Sequence, residues 1–291
     1  MIRVDNLTKR YDTTLALDRL SLTIPQNTIF GLVGPNGSGK STLLKLLMGF
    51  LFPDGGTIDL GPWSRTGIGY TSDRPFLPVR FRAAEFLTLV GELSGLRGAA
   101  LSVAVMQRLE QVGLSDAART RISALSKGMF QRLSLAAALV HDPPLLLLDE
   151  PMGGLDPGQQ AALRAVIQSA RQEGKTILLS THRLSEVTNL CTHIAILKQG
   201  QLVRTGALAD VLAPQPQVMI TVDHLPAELG KVLCAQYPGV TVAGSTITLD
   251  DAAQACKNDI LHLLMEHGCD IQQLIQQRAT LEQVYLEAVR P

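Results

Sequence analysis

The strongest constraint on this chain is one glycine-rich segment. It reads Gly34-Pro35-Asn36-Gly37-Ser38-Gly39-Lys40-Ser41-Thr42 and fits the phosphate-binding loop pattern G-x-x-x-x-G-K-[ST]. Glycines let the backbone turn tightly around a polyphosphate, and the N–H groups of the loop and of the next helix face the negative charge. In this pattern Lys40 reaches the β- and γ-phosphates, and the Ser41 hydroxyl ligates Mg²⁺. The segment predicts that a nucleotide is bound by Asn36, Gly37, Ser38, Gly39, Lys40, Ser41 and Thr42.

The flanking sequence supplies the context that a phosphate-binding loop needs, namely a strand before it and a helix after it. Ile29 to Val33 is a short apolar run with β-branched and aromatic members, which is typical of a buried strand. From Ser41 to Phe50 the leucines recur at helical spacing, and Pro53 lies just beyond. This order favours a nucleotide site over the alternative, a glycine-rich turn that binds nothing.

Two acids follow a second apolar run, Leu145 to Leu148, which is consistent with a central parallel strand buried on both faces. Ligands bind at the carboxyl edge of an open α/β sheet, where Asp149 and Glu150 are predicted to lie. We expect Asp149 to anchor Mg²⁺, directly or through water, and Glu150 to accept a proton from the attacking water or to orient it. Considered alone, the segment is equally consistent with an acidic turn. Together with the phosphate loop it predicts a nucleoside triphosphatase.

Two further segments fit such a site. Leu179 to His182 ends another strand that is expected to neighbour Asp149, which favours a γ-phosphate contact for His182 over a structural role. Leu125 to Leu133 contains Ser126, which is suited to cap the helix that follows it. A helix N-terminus with small residues is an anion site, and a cap that binds no ligand is the alternative.

In this order and spacing, these segments resemble the ATP-binding subunit of an ABC transporter over residues 1 to about 210. Leu125 to Met129 is similar to the signature motif of that family, and Gly154 to Asp156 is similar to its D-loop. The resemblance implies that ATP and Mg²⁺ are bound and that Tyr11 stacks on adenine. It also implies a head-to-tail dimer, in which Ser126 and Gly128 of one subunit act on the nucleotide held by the other. A monomer is then expected to hydrolyse ATP poorly.

The chain departs from the family pattern at three places. Asp73 stands where the segment beginning at Ile68 normally ends in the Q-loop glutamine. Because a carboxylate also ligates Mg²⁺ or water, Asp73 is predicted to be a metal ligand and to take part in catalysis, although it is shorter than glutamine. The signature has Lys127 and Met129 where the commonest form has glycine and glutamine, and Met152-Gly153 replaces small hydroxyl residues before the D-loop.

Alternating strands and helices predict an α/β fold with a mainly parallel sheet, and the resemblance implies that this is the fold of a P-loop NTPase of the ABC ATPase type. We expect the ABC ATPase domain over residues 1–213, with a helical subdomain over about 75–141, and a linker over residues 214–217. Residues 218–291 follow the order β-α-β-β-α-β, with the second helix over 252–266, and predict a small α+β ferredoxin-like domain.

Charge is divided unevenly along the chain. Residues 216–291 hold nine acids and four bases, a formal charge of −5, which leaves +5 for the preceding residues of this neutral chain. We interpret the two parts as ordinary solvated surfaces. The acidic end argues against a nucleic-acid-binding C-terminal module, and we expect no nucleic-acid partner.

The end of the chain indicates one subfamily of these ATP-binding subunits. Ala279 to Leu286 resembles the closing segment of bacterial ATPases that serve type-2 exporters, which include multidrug, sodium and copper-enzyme-maturation systems. An amphipathic terminal helix is the alternative. No apolar stretch approaches the roughly 18 residues of a membrane-spanning helix, the N-terminus lacks the apolar core of a signal peptide, and the four cysteines lack metal-ligand spacing. We therefore expect a cytoplasmic protein, and the resemblance implies that it is peripheral on the cytoplasmic face of the bacterial inner membrane.

We compare four hypotheses for the function of this sequence. The first is the ATPase subunit of an exporter, which acts as a homodimer or pseudo-dimer and powers a separate integral membrane permease. A soluble ABC-type ATPase acting on nucleic acid or ribosomes usually has two ATPase halves or a long coiled coil, and neither is present. A kinase or GTPase leaves the signature segment unexplained, and no Asn-Lys-x-Asp guanine motif occurs. A regulatory subunit with little hydrolysis is favoured by Asp73 and disfavoured by Glu150 and His182.

Overall fold

A computed structural model of the chain describes residues 1–212, 214–250, 252–278 and 280–289, with the backbone alone for residues 214–217, 276–278 and 289. The chain divides into two compact units. The first runs from Met1 to Leu208 and includes the described residues Ala288 and Val289, and the second runs from Ala209 to Glu287. The predicted linker over residues 214–217 is instead the beginning of a strand, because that segment pairs into the sheet of the second unit.

The first unit begins with an antiparallel sheet. Its strands are β1 (Ile2–Tyr11), β2 (Thr14–Ile24) and β4 (Gly55–Asp59), in the order β2-β1-β4. β1 and β2 form a hairpin in which Tyr11 pairs with Thr14. The hairpin explains the length of both strands, since each strand completes the hydrogen bonds of the other.

The second sheet of this unit is the central one. Its strands are β3 (Ile29–Val33), β5 (Ile68–Thr71), β6 (Leu145–Asp149), β7 (Thr176–Thr181), β8 (His193–Lys198) and β9 (Gln201–Ala207). They lie in the order β5-β6-β7-β3-β8-β9, and every neighbouring pair is parallel except β8 with β9. The predicted mainly parallel sheet is confirmed. Because β6, β7 and β3 are neighbours, Asp149, Ser180 and the phosphate loop lie together at the carboxyl edge of this sheet.

Helices surround these sheets in chain order. They are α1 (Lys40–Met48), α2 (Ala83–Leu93), α3 (Gly98–Gln111), α4 (Lys127–Leu139), α5 (Pro157–Gln172) and α6 (Leu184–Leu190). The short α7 (Leu208–Val211) begins at the last residue of the first unit and continues into the second. The helices α2, α3 and α4 pack against one another and fall within the predicted helical subdomain. No helix in the described part of the chain combines the length and the apolar character needed to cross a bilayer.

The second unit contains a four-stranded antiparallel sheet and the helices α8, α9 and α10. Its elements are β10 (Pro214–Val222), α8 (Ala227–Gln236), β11 (Val240–Ala243), β12 (Thr246–Leu249), α9 (Lys257–Glu266), β13 (Ile271–Arg278) and the terminal α10 (Leu281–Val289). The strand order is β11-β12-β10-β13. The helix α9 begins later than predicted, because the Asp250 carboxylate accepts hydrogen bonds from the N–H groups of Ala252 and Ala253 and holds a turn there. Ala279, the first residue of the exporter-like segment, lies outside the described residues.

A truncation in β6 tests how much the central sheet depends on its apolar strands. Leu147 is fully buried in the cluster that joins the central sheet, α1 and the β1–β2 hairpin. We expect Leu147→Ala to lower the free energy of unfolding by about 2–5 kcal/mol, because lost burial and a residual cavity add. Trp63, the single tryptophan, packs against this cluster and reports its unfolding by fluorescence in a urea titration. The control Leu93→Ala, at a side chain that is 80% exposed, should stay within about 0.5 kcal/mol; equal losses for both variants would contradict the assignment.

Candidate nucleotide site

The loop between β3 and α1 has a backbone that requires glycine. Gly37 and Gly39 have φ angles of 81° and 101°, in the left-handed region. A Cβ on Gly39 would lie 2.6 Å from the carbonyl oxygen of Ala16. At Gly39 the loop therefore lies against β2 with no room for a side chain, and it leads into the N-terminus of α1, where backbone N–H groups can face an anion.

Lys40 is held inside this loop. Its side chain is buried, and its Nζ donates hydrogen bonds to the carbonyl oxygens of Gly34, at 2.7 Å, and Pro35, at 3.1 Å. Burial lowers the pKa of Lys40, and the carboxylates of Glu150 and Asp149 act in the opposite direction by favouring the charged form. The ammonium group is thus positioned among two acids and a loop shaped for phosphate.

Ser41 and Asp149 meet at the edge of the sheet. The Ser41 hydroxyl donates to Asp149 Oδ1 at 3.1 Å, and Asp149 is almost fully buried. Ser180, at the end of β7, donates a very short hydrogen bond to the same carboxylate oxygen. The side-chain oxygens of Ser41 and Asp149 are hard ligands for a metal ion. Proteins bind Mg²⁺ through one or two such groups together with phosphate and water. Ser41 and Asp149 therefore fit the predicted magnesium site.

Glu150 has a strained backbone and a fixed side chain. Its φ angle is 47°, in the left-handed region that non-glycine residues rarely adopt and that is found at functional sites. Its N–H group is held by the carbonyl and hydroxyl oxygens of Ser180, each at 3.1 Å. Its carboxylate lies 2.9 Å from Nδ1 of His182. The structure thus joins the two predicted catalytic groups, which are separated by 32 residues in sequence.

His182 is positioned by a second buried carboxylate. Thr181 donates its hydroxyl to Glu186 at 2.7 Å and accepts the N–H of Arg183 at 3.0 Å, which fixes the turn on either side of His182. Burial raises the pKa of Glu186, and the hydrogen bond from Thr181 opposes that shift. The sequence interpretation did not find Glu186, because its role depends on how α6 folds back on β7.

Most of the predicted site residues line a cleft of about 440 Å³. Its lining comprises Tyr11, Thr14, Ala16, Asn36, Gly37, Ser38, Gly39, Lys40, Ser41, Thr42, Asp73 and Glu150. The sequence interpretation missed Thr14 and Ala16, which the hairpin brings to the loop. The Ser38 hydroxyl is buried without a hydrogen-bond partner among the described residues, so the loop presents a polar group that a ligand can satisfy.

Two predicted residues lie at the rim of this cleft. Tyr11 is 41% exposed, with the Lys9 ammonium 6.0 Å from the centre of its ring. The side chain of Asp73 is 53% exposed and lies 3.8 Å from the guanidinium of Arg74. No direct bond joins Asp73 to Ser41 or Asp149 in the described part of the chain, so its predicted part in metal binding stays a prediction.

The signature segment lies apart from the cleft. Ser126 caps α4 by accepting the N–H of Met129 at 3.3 Å, and neither Ser126 nor Gly128 lines the phosphate site of its own chain. Gly128 is buried against Gln159 at the start of α5, where a Cβ would collide with that side chain. The Lys127 ammonium occupies the space that a Cβ on Gly154 would need. Within one chain, the signature segment therefore packs on the D-loop and on α5.

The chain matches known proteins over most of its length. A family model described as ABC transporter matches residues 17–153. An uncharacterized ABC transporter ATP-binding protein of Nostoc is 43% identical over 209 residues, which are 69% of this chain and only 62% of that relative. The Nod factor export ATP-binding protein I of Sinorhizobium fredii is 35% identical, covering 84% of this chain and 75% of that protein. A solved dimeric bacterial ABC transporter cassette is 28% identical with a TM-score of 0.63, covering 72% of this chain and 99% of that one.

Proposed function

The chain belongs to the ATP-binding proteins of ABC transporters, and on this basis we propose that it binds and hydrolyses ATP to power a separate membrane permease, as the ATPase subunit of an exporter. The contact between Glu150 and His182 beside the phosphate loop carries the proposal. A carboxylate held at that point is suited to take a proton from an attacking water. The direction of transport is supported by the relative named for Nod factor export.

Binding begins at the phosphate loop. The N–H groups from Gly37 to Thr42 receive the β- and γ-phosphates at the N-terminus of α1, and Lys40 exchanges its two carbonyl partners for phosphate oxygens. Tyr11 lies at the rim, where its exposed ring is available for stacking on adenine. Ser41 and Asp149 would hold Mg²⁺, which when bound neutralises charge that develops on the phosphates.

Hydrolysis then requires a positioned water. Glu150 accepts a proton as the water oxygen bonds to the γ-phosphorus and the bond to ADP breaks. His182 keeps the carboxylate in place through its Nδ1, and its other ring nitrogen would donate to the γ-phosphate. The hydrogen bonds from Glu150 N–H to Ser180 hold the strained backbone that aims this side chain.

The active unit is proposed to be a head-to-tail homodimer, since Ser126 and Gly128 do not line the cleft of their own chain. Mixing two inactive variants tests this arrangement. Lys40→Ala lacks the loop cation and Ser126→Ala lacks the signature hydroxyl, so a mixed dimer regains one intact composite site. We expect each variant alone to be nearly inactive and the mixture to recover hydrolysis. A mixture that stays inactive, or Ser126→Ala with full activity alone, would contradict the dimer.

The permease is proposed to dock in a groove of the first unit. The groove has a volume of about 370 Å³ and is lined by apolar and aromatic side chains, among them Phe50, Tyr70, Phe76 and Phe86. Phe50 is 59% exposed and Phe76 is 94% exposed, which is unusual for phenylalanine unless a partner covers it. A short cytoplasmic segment of the permease is the occupant that we propose, and it would hold the chain at the cytoplasmic face of the membrane.

Asp73 gives a prediction for the metal side of the site. We expect Asp73→Ala to lower the rate of ATP hydrolysis by about 10- to 100-fold, the usual cost of losing a group that supports a metal-bound ligand. Asp73→Gln should retain most activity, because glutamine offers an oxygen with a longer reach. Steady-state hydrolysis across a magnesium titration is the measurement, with the exposed Asp116→Ala as the matched control. If Asp73→Ala hydrolyses ATP at the wild-type rate, Asp73 takes no part in metal binding or catalysis.

A further inference from the structure

One exposed surface of the first unit is rich in arginine and lines neither the nucleotide cleft nor the docking groove. It consists of Val79, Arg80, Phe81, Arg82, Arg119 and Arg121, which we call the arginine patch. All six side chains are exposed, Val79 by 56% and Phe81 by 37%. Basic groups thus alternate with apolar ones on a surface that meets solvent.

The patch has a fixed backbone. The N–H of Ile122 donates to the carbonyl of Phe81 at 2.9 Å, and the N–H of Ser123 donates to that of Val79 at 3.2 Å. The backbones of Arg82 and Arg121 form an isolated antiparallel β-bridge, and the Arg82 guanidinium donates a hydrogen bond to the carbonyl of Arg119 at 2.6 Å. The two segments that carry the arginines are therefore held together before any partner binds. Binding then costs little backbone conformational entropy.

The arginines of the patch are poorly neutralised. Arg82 lies 3.7 Å from the carboxylate of Glu85, which is a long ion pair. Among the described residues, Arg80, Arg119 and Arg121 take part in no ion pair. A guanidinium group binds two oxygens of a phosphate at once and is weakly hydrated, so exposed arginines without carboxylates are suited to phosphate anions.

We propose that the arginine patch binds the phosphodiester headgroups of an anionic membrane surface. The inference rests on the proposed function, because a subunit docked on a membrane permease brings its docking side close to the bilayer. The patch continues that side, since Phe76 lines the docking groove and Val79 follows it in the same loop. An acidic segment of the permease would match the charge, but the apolar side chains between the arginines favour a bilayer, where such groups enter the headgroup region.

Vesicle binding by the purified full chain tests the proposal. We expect the protein to sediment with vesicles of phosphatidylcholine and phosphatidylglycerol but not with phosphatidylcholine alone, and salt to weaken the binding. Each basic residue near an anionic surface contributes about fivefold in affinity, so the triple variant R80S, R119S and R121S should bind about a hundredfold more weakly. The control variant R3S, R10S and R204S removes the same charge from exposed positions on β1 and β9 and should lose much less.

The outcomes separate this proposal from the proposed function. Failure of the unaltered chain to bind anionic vesicles, or equal losses in the two triple variants, overturns lipid binding. A third outcome is that neither the unaltered chain nor any variant binds vesicles and that the patch variant also fails to co-purify with a permease. In that case the arginines contact a protein and not lipid. ATP hydrolysis measured on the same samples reports on the proposed function alone, because the arginine patch lies outside the nucleotide cleft.

Discussion

Replacing Glu150 with Gln lowers the rate of ATP hydrolysis by about two to four orders of magnitude, the usual contribution of a general base, while ATP binding persists. Glutamine keeps the size of the side chain and can still accept a hydrogen bond from His182, but it cannot take the proton of the water. Because ATP is no longer consumed, the variant should accumulate as a closed dimer in ATP and Mg²⁺. Phosphate release and size-exclusion chromatography measure the two effects.

The matched control for this variant is Glu110→Gln, at an exposed acid of α3 that bonds the N–H of Gly113 only through its backbone carbonyl, which the change leaves in place. It should hydrolyse ATP at the wild-type rate and show no ATP-dependent dimer beyond that of the unaltered chain. Hydrolysis by Glu150→Gln at the full rate would show that another group takes the proton, and the contact with His182 would then have a structural purpose.

Replacing Lys40 with Ala weakens ATP binding by about a hundredfold or more, because a buried cation that meets phosphate charge is removed. The change also removes the hydrogen bonds that Lys40 donates to the carbonyl oxygens of Gly34 and Pro35, so the loop loses part of its shape. Titration with a fluorescent ATP analogue gives the dissociation constant, and hydrolysis should be undetectable. Lys45→Ala, at an exposed lysine of the same helix, is the control and should bind ATP as the unaltered chain does.

Two results would contradict this account of Lys40. A dissociation constant unchanged by Lys40→Ala would mean that ATP binds without the buried ammonium. An equal loss in Lys45→Ala would mean that the effect comes from net charge on α1 and not from the position of Lys40 in the loop.

Local sequence was enough to predict the parts of the site that lie within one segment. The phosphate loop lies between a strand with the predicted bounds Ile29–Val33 and a helix within one or two residues of the prediction. Asp149 ends a buried strand as expected. These features depend on apolar periodicity and on glycine geometry, which are readable over about ten residues.

Residues that act through pairing between distant strands were not predictable in the same way. Ser180 binds both Asp149 and Glu150 because Asp149 and Ser180 are paired in the register of β6 and β7. Thr14 reaches the cleft through the β1–β2 hairpin, and Gly128 is buried by Gln159 from another helix. Each depends on a contact between segments whose relative position no short pattern specifies.

The second unit shows the same limit at its boundary. Proline and glutamine around position 215 are typical of a linker, and the pattern there favours a turn. The backbone instead pairs Pro214 with Arg278, since β13 is long enough to extend the sheet to that point. The division between the units accordingly falls at Leu208, before the predicted linker.

The most direct test of the central claim is the recovery of a membrane partner. Tagged Glu150→Gln protein is captured from native membranes in detergent, with ATP and Mg²⁺, and the co-purifying chains are identified by mass spectrometry. We expect one polytopic membrane protein, held through the groove lined by Phe50 and Phe76 and lost from a Phe76→Ser variant. Recovery of soluble proteins, ribosomes or nucleic acid alone would contradict the transporter account and favour a soluble ABC-type ATPase.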